Sequence, residues 1–188
     1  MEKSEIICAE VDMTAEYIYK LAMACEAFYG TRDPEEIFRQ RGAKMKSSAP
    51  GGLLGVICAT EGRVFVSIDG TASISARRVC AARFLAHALL HRVQLKSGRV
   101  YEEPSTVRPE GTEEREADLF AAELLIKDEE ILSLLESGMS EGQIVSSFGS
   151  MREIVPRKLF SMRSRGIAAG EEVCRADFLR RCDVELFF

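Results

Sequence analysis

Apolar residues recur at three- and four-residue intervals from Ala15 to Tyr29, a spacing that predicts a helix capped by Thr14 and stopped by Gly30. Residues 1–13 lack so clear a period and read as an irregular or partly extended lead-in. Asp33-Pro34 opens a short second helix that fades near Gly42, with proline in the first turn, where its missing N–H costs nothing. Residues 43–52 are rich in Lys, Ser, Ala, Pro and Gly and read as a loop. Two β-rich runs, Leu53–Thr60 and Val64–Ile68, flank a turn at Glu61-Gly-Arg63 and predict a hairpin.

The next periodic segment runs from Ser73 to His91, with Ser75 as its cap and Gly98 beyond its end. Residues 99–111 hold two prolines and a glycine and read as a loop. Thr112 then caps a fourth long helix. Its opening turns carry Glu113, Glu114 and Glu116, as the helix dipole favours, and Leu119, Phe120, Ala122, Leu124 and Leu125 form its inner side. Further helices are predicted near Asp128–Ser137, Ser140–Phe148 and Met151–Met162, with Pro156 restricting where the last begins. One more short helix and the apolar end Val184–Phe188, packed back on the core, close the chain. Together these elements predict an α+β fold, a small antiparallel sheet packed on a helical bundle. Residues 1–135 form the main domain, and residues 136–188 form a helical extension packed on the same core.

Composition narrows the class. With 188 residues, 46% of them hydrophobic, the chain can build a core of its own. A net charge of -5 argues against nucleic-acid binding by the surface at large. No apolar run approaches membrane length, and Met1-Glu-Lys-Ser-Glu does not open an export signal, so a cytoplasmic protein is expected. The six cysteines form no C-x-x-C pair and read as buried and reduced.

Both histidines of the chain, His87 and His91, lie four apart in a helical segment and so share one face, a turn apart. Two imidazoles at that spacing can hold one zinc ion. The fourth helix offers more: Glu114-Arg-Glu-Ala-Asp118 places two carboxylates on one face. Glu114 is a candidate ligand, and Asp118 a candidate acceptor for the second ring nitrogen of a ligating histidine. Spacing alone leaves another account open, with packed imidazoles and a solvated acidic face among the seven acids of residues 102–118.

Larger patterns point further. Arg83-Phe-Leu-Ala-His-Ala-Leu-Leu-His91 resembles the R-F-x-x-A-H-E-L-G-H motif of the ImmA/IrrE family of bacterial zinc metallopeptidases, with its Arg-Phe pair one residue nearer the first histidine. The family's E-x-x-A-N/D-x-F-A-A-x-L-L motif is matched at Glu114, Ala117, Asp118, Phe120, Ala121, Ala122, Leu124 and Leu125. The segment Phe148–Leu159 is similar to its F-G-V-S-x-E-A-x-x-x-R-L run, and the resemblance covers roughly residues 15–165. It implies a zincin-like metallopeptidase domain with one zinc ion on His87, His91 and Glu114. The implied role is cleavage of a helix-turn-helix transcriptional repressor, whose strand would pair with the hairpin edge at Val64 and Val66.

The departures matter as much. The family's catalytic glutamate is here Ala88, its glycine before the second histidine is Leu90, and the proline after Leu-Leu-x is Lys127. A methyl group cannot act as a general base, and losing one costs on the order of 10²–10⁴ in rate. Zinc ligation does not need that residue, so a metal-holding but catalytically impaired protein is expected, and a non-catalytic partner-binding module is its neighbour. Leu90 and Lys127, lying close by, point to divergence rather than one isolated change. Glu113 and Glu116 lie on other faces of the ligand helix and are poorly placed to substitute for the lost base. Glu102 and Glu103 stay open as replacements, and Tyr101 as an oxyanion donor. Arg152, Arg157, Lys158, Arg163 and Arg165 give the C-terminal helices a helix-turn-helix flavour, a weaker, DNA-binding alternative.

Overall fold

The computed structural model describes residues 2–48, 51–105 and 111–167, with the backbone alone for residues 2–14. Its centre is helix α3 (Ile74–Leu90), buried without interruption from Val79 to Ala88. A helix buried on every side needs partners on every side. The sheet covers one face and α5 (Thr112–Leu125) covers another. Both helices carry fully buried alanines, Ala81, Ala82 and Ala86 on α3 and Ala117, Ala121 and Ala122 on α5, so side-chain bulk does not hold their backbones apart. Helix α1 (Glu2–Tyr29) lies against α5, and α2 (Pro34–Gln40) against α3.

The sheet has four strands, β1 (Lys44–Lys46), β2 (Leu53–Thr60), β3 (Arg63–Ile68) and β4 (Tyr101–Pro104), in the order β1-β3-β2-β4. It is antiparallel except at β1, which runs parallel to β3. The β2–β3 turn is the predicted hairpin, closed by Glu61 and Gly62 with φ of 49° and 75°, the left-handed pair that a two-residue turn requires. Gly55 on β2 sets how closely the sheet meets α3. A Cβ there would lie 2.8 Å from both Cys80 Sγ and Phe84 Cε2.

Several sequence expectations change. Residues 2–13 are helical, and Thr14 lies inside α1 rather than capping it. No glycine or proline interrupts the segment, so the helix nucleated by the buried stretch from Ala15 onward extends to Glu2. Ser73, not Ser75, caps α3, accepting from the Ala76 N–H at 3.2 Å. Gly111, not Thr112, is the N-cap of α5. The loops read at 43–52 and 99–111 each contain a strand, β1 and β4, held by ladder bonds to partners far away in sequence. A short helix, α4 (Arg92–Lys96), follows directly on His91.

The hairpin edge at Val64–Ile68 is also not free. β1 pairs with Phe65, Val66 and Ser67, and Val66 is buried, so of the two candidate contact residues Val64 lies outside the covered span and Val66 does not. The predicted helix and apolar end of residues 171–188 lie outside the described residues. Cys25 and Cys80 are buried and Cys58 is half-buried, and none of the three is in a disulfide among the described residues.

Helices α6 (Asp128–Glu136), α7 (Glu141–Ser147) and α8 (Val155–Ser164) complete the described chain, and α8 packs on α5 and α1. Pro156 sits in the first turn of α8, where a proline is tolerated. Of the basic residues of this segment, Lys158, Arg163 and Arg165 are turned onto acids of the fold, while Arg152 is exposed. Lys158, 1% exposed, binds Glu123 at 2.6 Å and Asp128 at 2.5 Å. Arg165 forks onto Asp128 at 2.8 and 2.9 Å and stacks on Tyr19, while Arg163 pairs with Glu141. Charges spent on internal acids are not free for phosphates, which weakens the DNA-binding alternative.

Candidate metal centre

His87 lies on the buried face of α3, and His91 forms the joint between α3 and α4. Both rings are buried, with Nδ1 atoms 2.9 Å apart. That contact needs one donor and one acceptor, so the two rings cannot both be fully protonated. Burial pushes the His87 imidazole below its ordinary range, against the pull of Glu114. His87 is therefore neutral at neutral pH, the form that ligates metals.

The first turns of α5 meet these rings. Glu114 Oε2 lies 3.7 Å from His87 Nε2, and Glu116 Oε2 lies 2.8 Å from His91 Nε2. Burial pushes the Glu114 carboxyl up, but His87 and Arg83 outweigh it and hold the group below its usual range. The Tyr101 ring stacks on His87 with centroids 3.8 Å apart. Its hydroxyl donates to Glu113 at 3.0 Å, and burial, reinforced by that carboxylate, pushes the phenol upward.

Beneath the histidines sits a residue whose part spacing did not reveal. Arg83 is 2% exposed and faces three carboxylates. Its Nε lies 2.9 Å from Glu103, its Nη2 donates to Glu114 at 2.8 Å, and its Nη1 donates to Asp118. Asp118 thus meets Arg83, whereas the ring nitrogens of the two histidines meet each other, Glu114 and Glu116. Arg83 lies four residues before His87, hence on the same helical face, and that was the available signal. The approach of Glu116 to His91 and of Glu113 to Tyr101 joins different elements and has no counterpart in local spacing. Both acids, expected to face elsewhere, line this cluster.

Ala88, the next residue, lies about 100° around the helix from His87. It lines an open cavity of about 520 Å³ between the hairpin tip, the end of α2 and α4, with Val64 in the same wall. One carboxylate, Glu61, lines that cavity. Glu103, one of the acids open as a replacement base, is buried against Arg83, and Glu102 is exposed on the opposite face of β4.

Among the described residues, no group of three His, Cys, Asp or Glu side chains is arranged around a common metal position. The chemistry of the donor set nevertheless fits zinc, since two imidazoles and a carboxylate are the ligands of an open zinc site.

A paired-histidine helix beneath a small sheet, facing an acidic helix, defines the α+β class of zincin-like peptidase domains. Residues 57–160 match the family model of the IrrE N-terminal-like domain, peptidase family M78, and the chain belongs to that metallopeptidase family. No curated protein and no solved structure matches it. Among the described residues no helix is long and apolar enough to cross a membrane.

Proposed function

We propose that this chain is a zinc-binding member of the family that engages a protein partner and hydrolyses peptides poorly. His87, His91 and Glu114 are its metal ligands. The observation that carries this reading is the contrast between neighbouring positions of α3: a buried imidazole pair facing Glu114, and a methyl group, Ala88, lining the open cavity. Glu114 and Glu116 meet the pair directly, and Glu103, Asp118 and Glu113 join the cluster through Arg83 and Tyr101, with Arg83, Arg99 and Arg157 as cations within 4.0 Å of these acids. That excess of negative charge favours a divalent ion.

When bound, the ion acts as a Lewis acid toward a peptide carbonyl and acidifies a water. The chain's own residues supply less. Ala88 accepts no proton, and Glu103, Glu113 and Glu116 are already held by Arg83, Tyr101 and His91. The partner class carried over from the family is a helix-turn-helix repressor, met in the cytoplasm and held near Val64 rather than along the covered edge at Val66.

Elemental analysis of protein purified without chelator tests the metal. About one zinc per chain is expected, lost in His87→Ala and in Glu114→Gln, and metal-free parent protein removes the reading. Ala88→Glu tests the impairment. A gain on the order of 10²-fold or more in cleavage of a co-encoded repressor would show that the base is all that is missing. No gain would show a groove that has diverged further, with Leu90 the next residue to restore.

A further inference from the structure

The cavity beside Ala88 carries a charge opposite to that of the protein as a whole. The chain has a net charge of -5, yet Arg41, Arg63, Arg92 and Lys96 line this space against one acid, Glu61. They come from three sides: the end of α2, the start of β3, and two positions a turn apart on α4. Arg63, Arg92 and Lys96 form no ion pair among the described residues, and Arg41 donates to the Tyr29 hydroxyl at 2.9 Å. Elsewhere, Arg32, Arg77, Arg83, Lys158, Arg163 and Arg165 each meet an internal acid. Like charges gathered without counterions repel one another, and an anion between them relieves that repulsion.

We propose that this cavity is a binding site for an acidic peptide segment, which lies with its aspartate or glutamate side chains among the four cations and its apolar side chains on Ala59 and Val64. Two features favour a peptide over a small phosphorylated ligand. The cations are exposed and arrive from separate elements, which suits several spaced carboxylates better than one compact phosphate. The wall behind them is apolar, and the cavity's volume of about 520 Å³ holds side chains as well as charges. The residue at position 88 takes part directly: a glutamate there would bring a negative charge to this wall, and Ala88 leaves it free for acids. That a peptide is the occupant rests on the proposed engagement of a protein partner. The cations themselves are not metal ligands, so the site can be tested without metal.

The test is fluorescence anisotropy with the full chain in chelator, using a labelled peptide of glutamates spaced among alanines and leucines. Its control has glutamine at each glutamate. The glutamate peptide is expected to bind at low salt, weaken as salt rises, and bind at least about tenfold tighter than the control. Arg63→Glu with Arg92→Glu should weaken it by about tenfold or more while thermal melting stays unchanged. Arg41→Gln with Lys96→Gln gives the same test by neutralisation if the reversed variant fails to fold. Equal binding of both peptides, or no effect of either pair of substitutions, overturns the proposal. So does displacement of the peptide by inorganic phosphate at matched ionic strength, which would assign the site to a phosphorylated small molecule. Peptide binding by a chain that takes up no zinc would overturn the metal reading alone. Zinc uptake with no preference for the acidic peptide would overturn this one alone.

Discussion

Arg83 should be the most sensitive charged position in the protein. Replacing it with methionine keeps much of the length and apolar stem but removes the guanidinium from among Glu103, Glu114 and Asp118. Breaking a buried ion pair by deleting one partner costs ~3–5 kcal/mol, because the remaining charge stays buried and uncompensated. Here the side chains of Glu114 and Asp118 are 18% and 19% exposed, against 7% for Glu103, so water reaches two of the three stranded acids. The lower end, about 3 kcal/mol, is the expected loss. For a chain of this size that corresponds to a fall in Tm of about 6–12 °C.

Urea unfolding of parent and Arg83→Met at neutral and mildly acidic pH measures the loss and checks its cause. Arg83 helps hold the Glu114 carboxyl below its usual range, so its removal raises that group's folded-state pKa relative to the parent. A raised folded-state pKa contributes stability that is present at low pH and lost as pH rises. The deficit of the variant should therefore be largest at neutral pH and shrink toward the carboxylate range. Zinc should also restore part of the stability of Arg83→Met, by binding the folded state and supplying positive charge beside the same acids. A neutral-pH loss below about 1 kcal/mol, or a deficit that does not change with pH, would refute the reasoning and reduce Arg83 to a packed side chain.

Other outcomes follow from the same geometry. Gly55→Ala should cost ~1–3 kcal/mol by denaturant titration, because its methyl would press on Cys80, Phe84 and the Ser67 carbonyl and push the sheet off α3. Lys158→Met should cost about 3 kcal/mol by leaving the fully buried Glu123 with only Arg165, 3.6 Å away, and pairing it with Glu123→Leu should recover most of that loss in a double-mutant cycle. Burial pushes the Asp128 carboxyl up, but the bonds from Arg165 and Lys158 outweigh it and hold the group at about 2. A depressed carboxylate contributes stability above its unfolded pKa of roughly 3.9, lost as pH falls toward 2. After allowance for solvent screening this amounts to about 1–2 kcal/mol, and Asp128→Asn should flatten that part of the acid-unfolding curve.

Local pattern carried much of this protein. The periods of α1, α3 and α5, the hairpin with its Glu61-Gly62 turn, the capping of α7 by Ser140 and the tolerance of Pro156 in α8 all depend on residues near one another in sequence. So does the pairing of His87 with His91, since a four-residue step on a helix brings two rings together whatever surrounds them. Strands β1 and β4 escaped because three or four residues of extended chain have no period of their own, and their ladder partners lie far along the sequence. The same holds for the roles of Arg83, Glu116 and Ala88. Which acids meet Arg83, which carboxylate reaches His91, and what lies beside the methyl at position 88 depend on how α3, α5 and the sheet dock. Docking follows from burial summed over the whole core, a quantity that no short stretch of sequence contains.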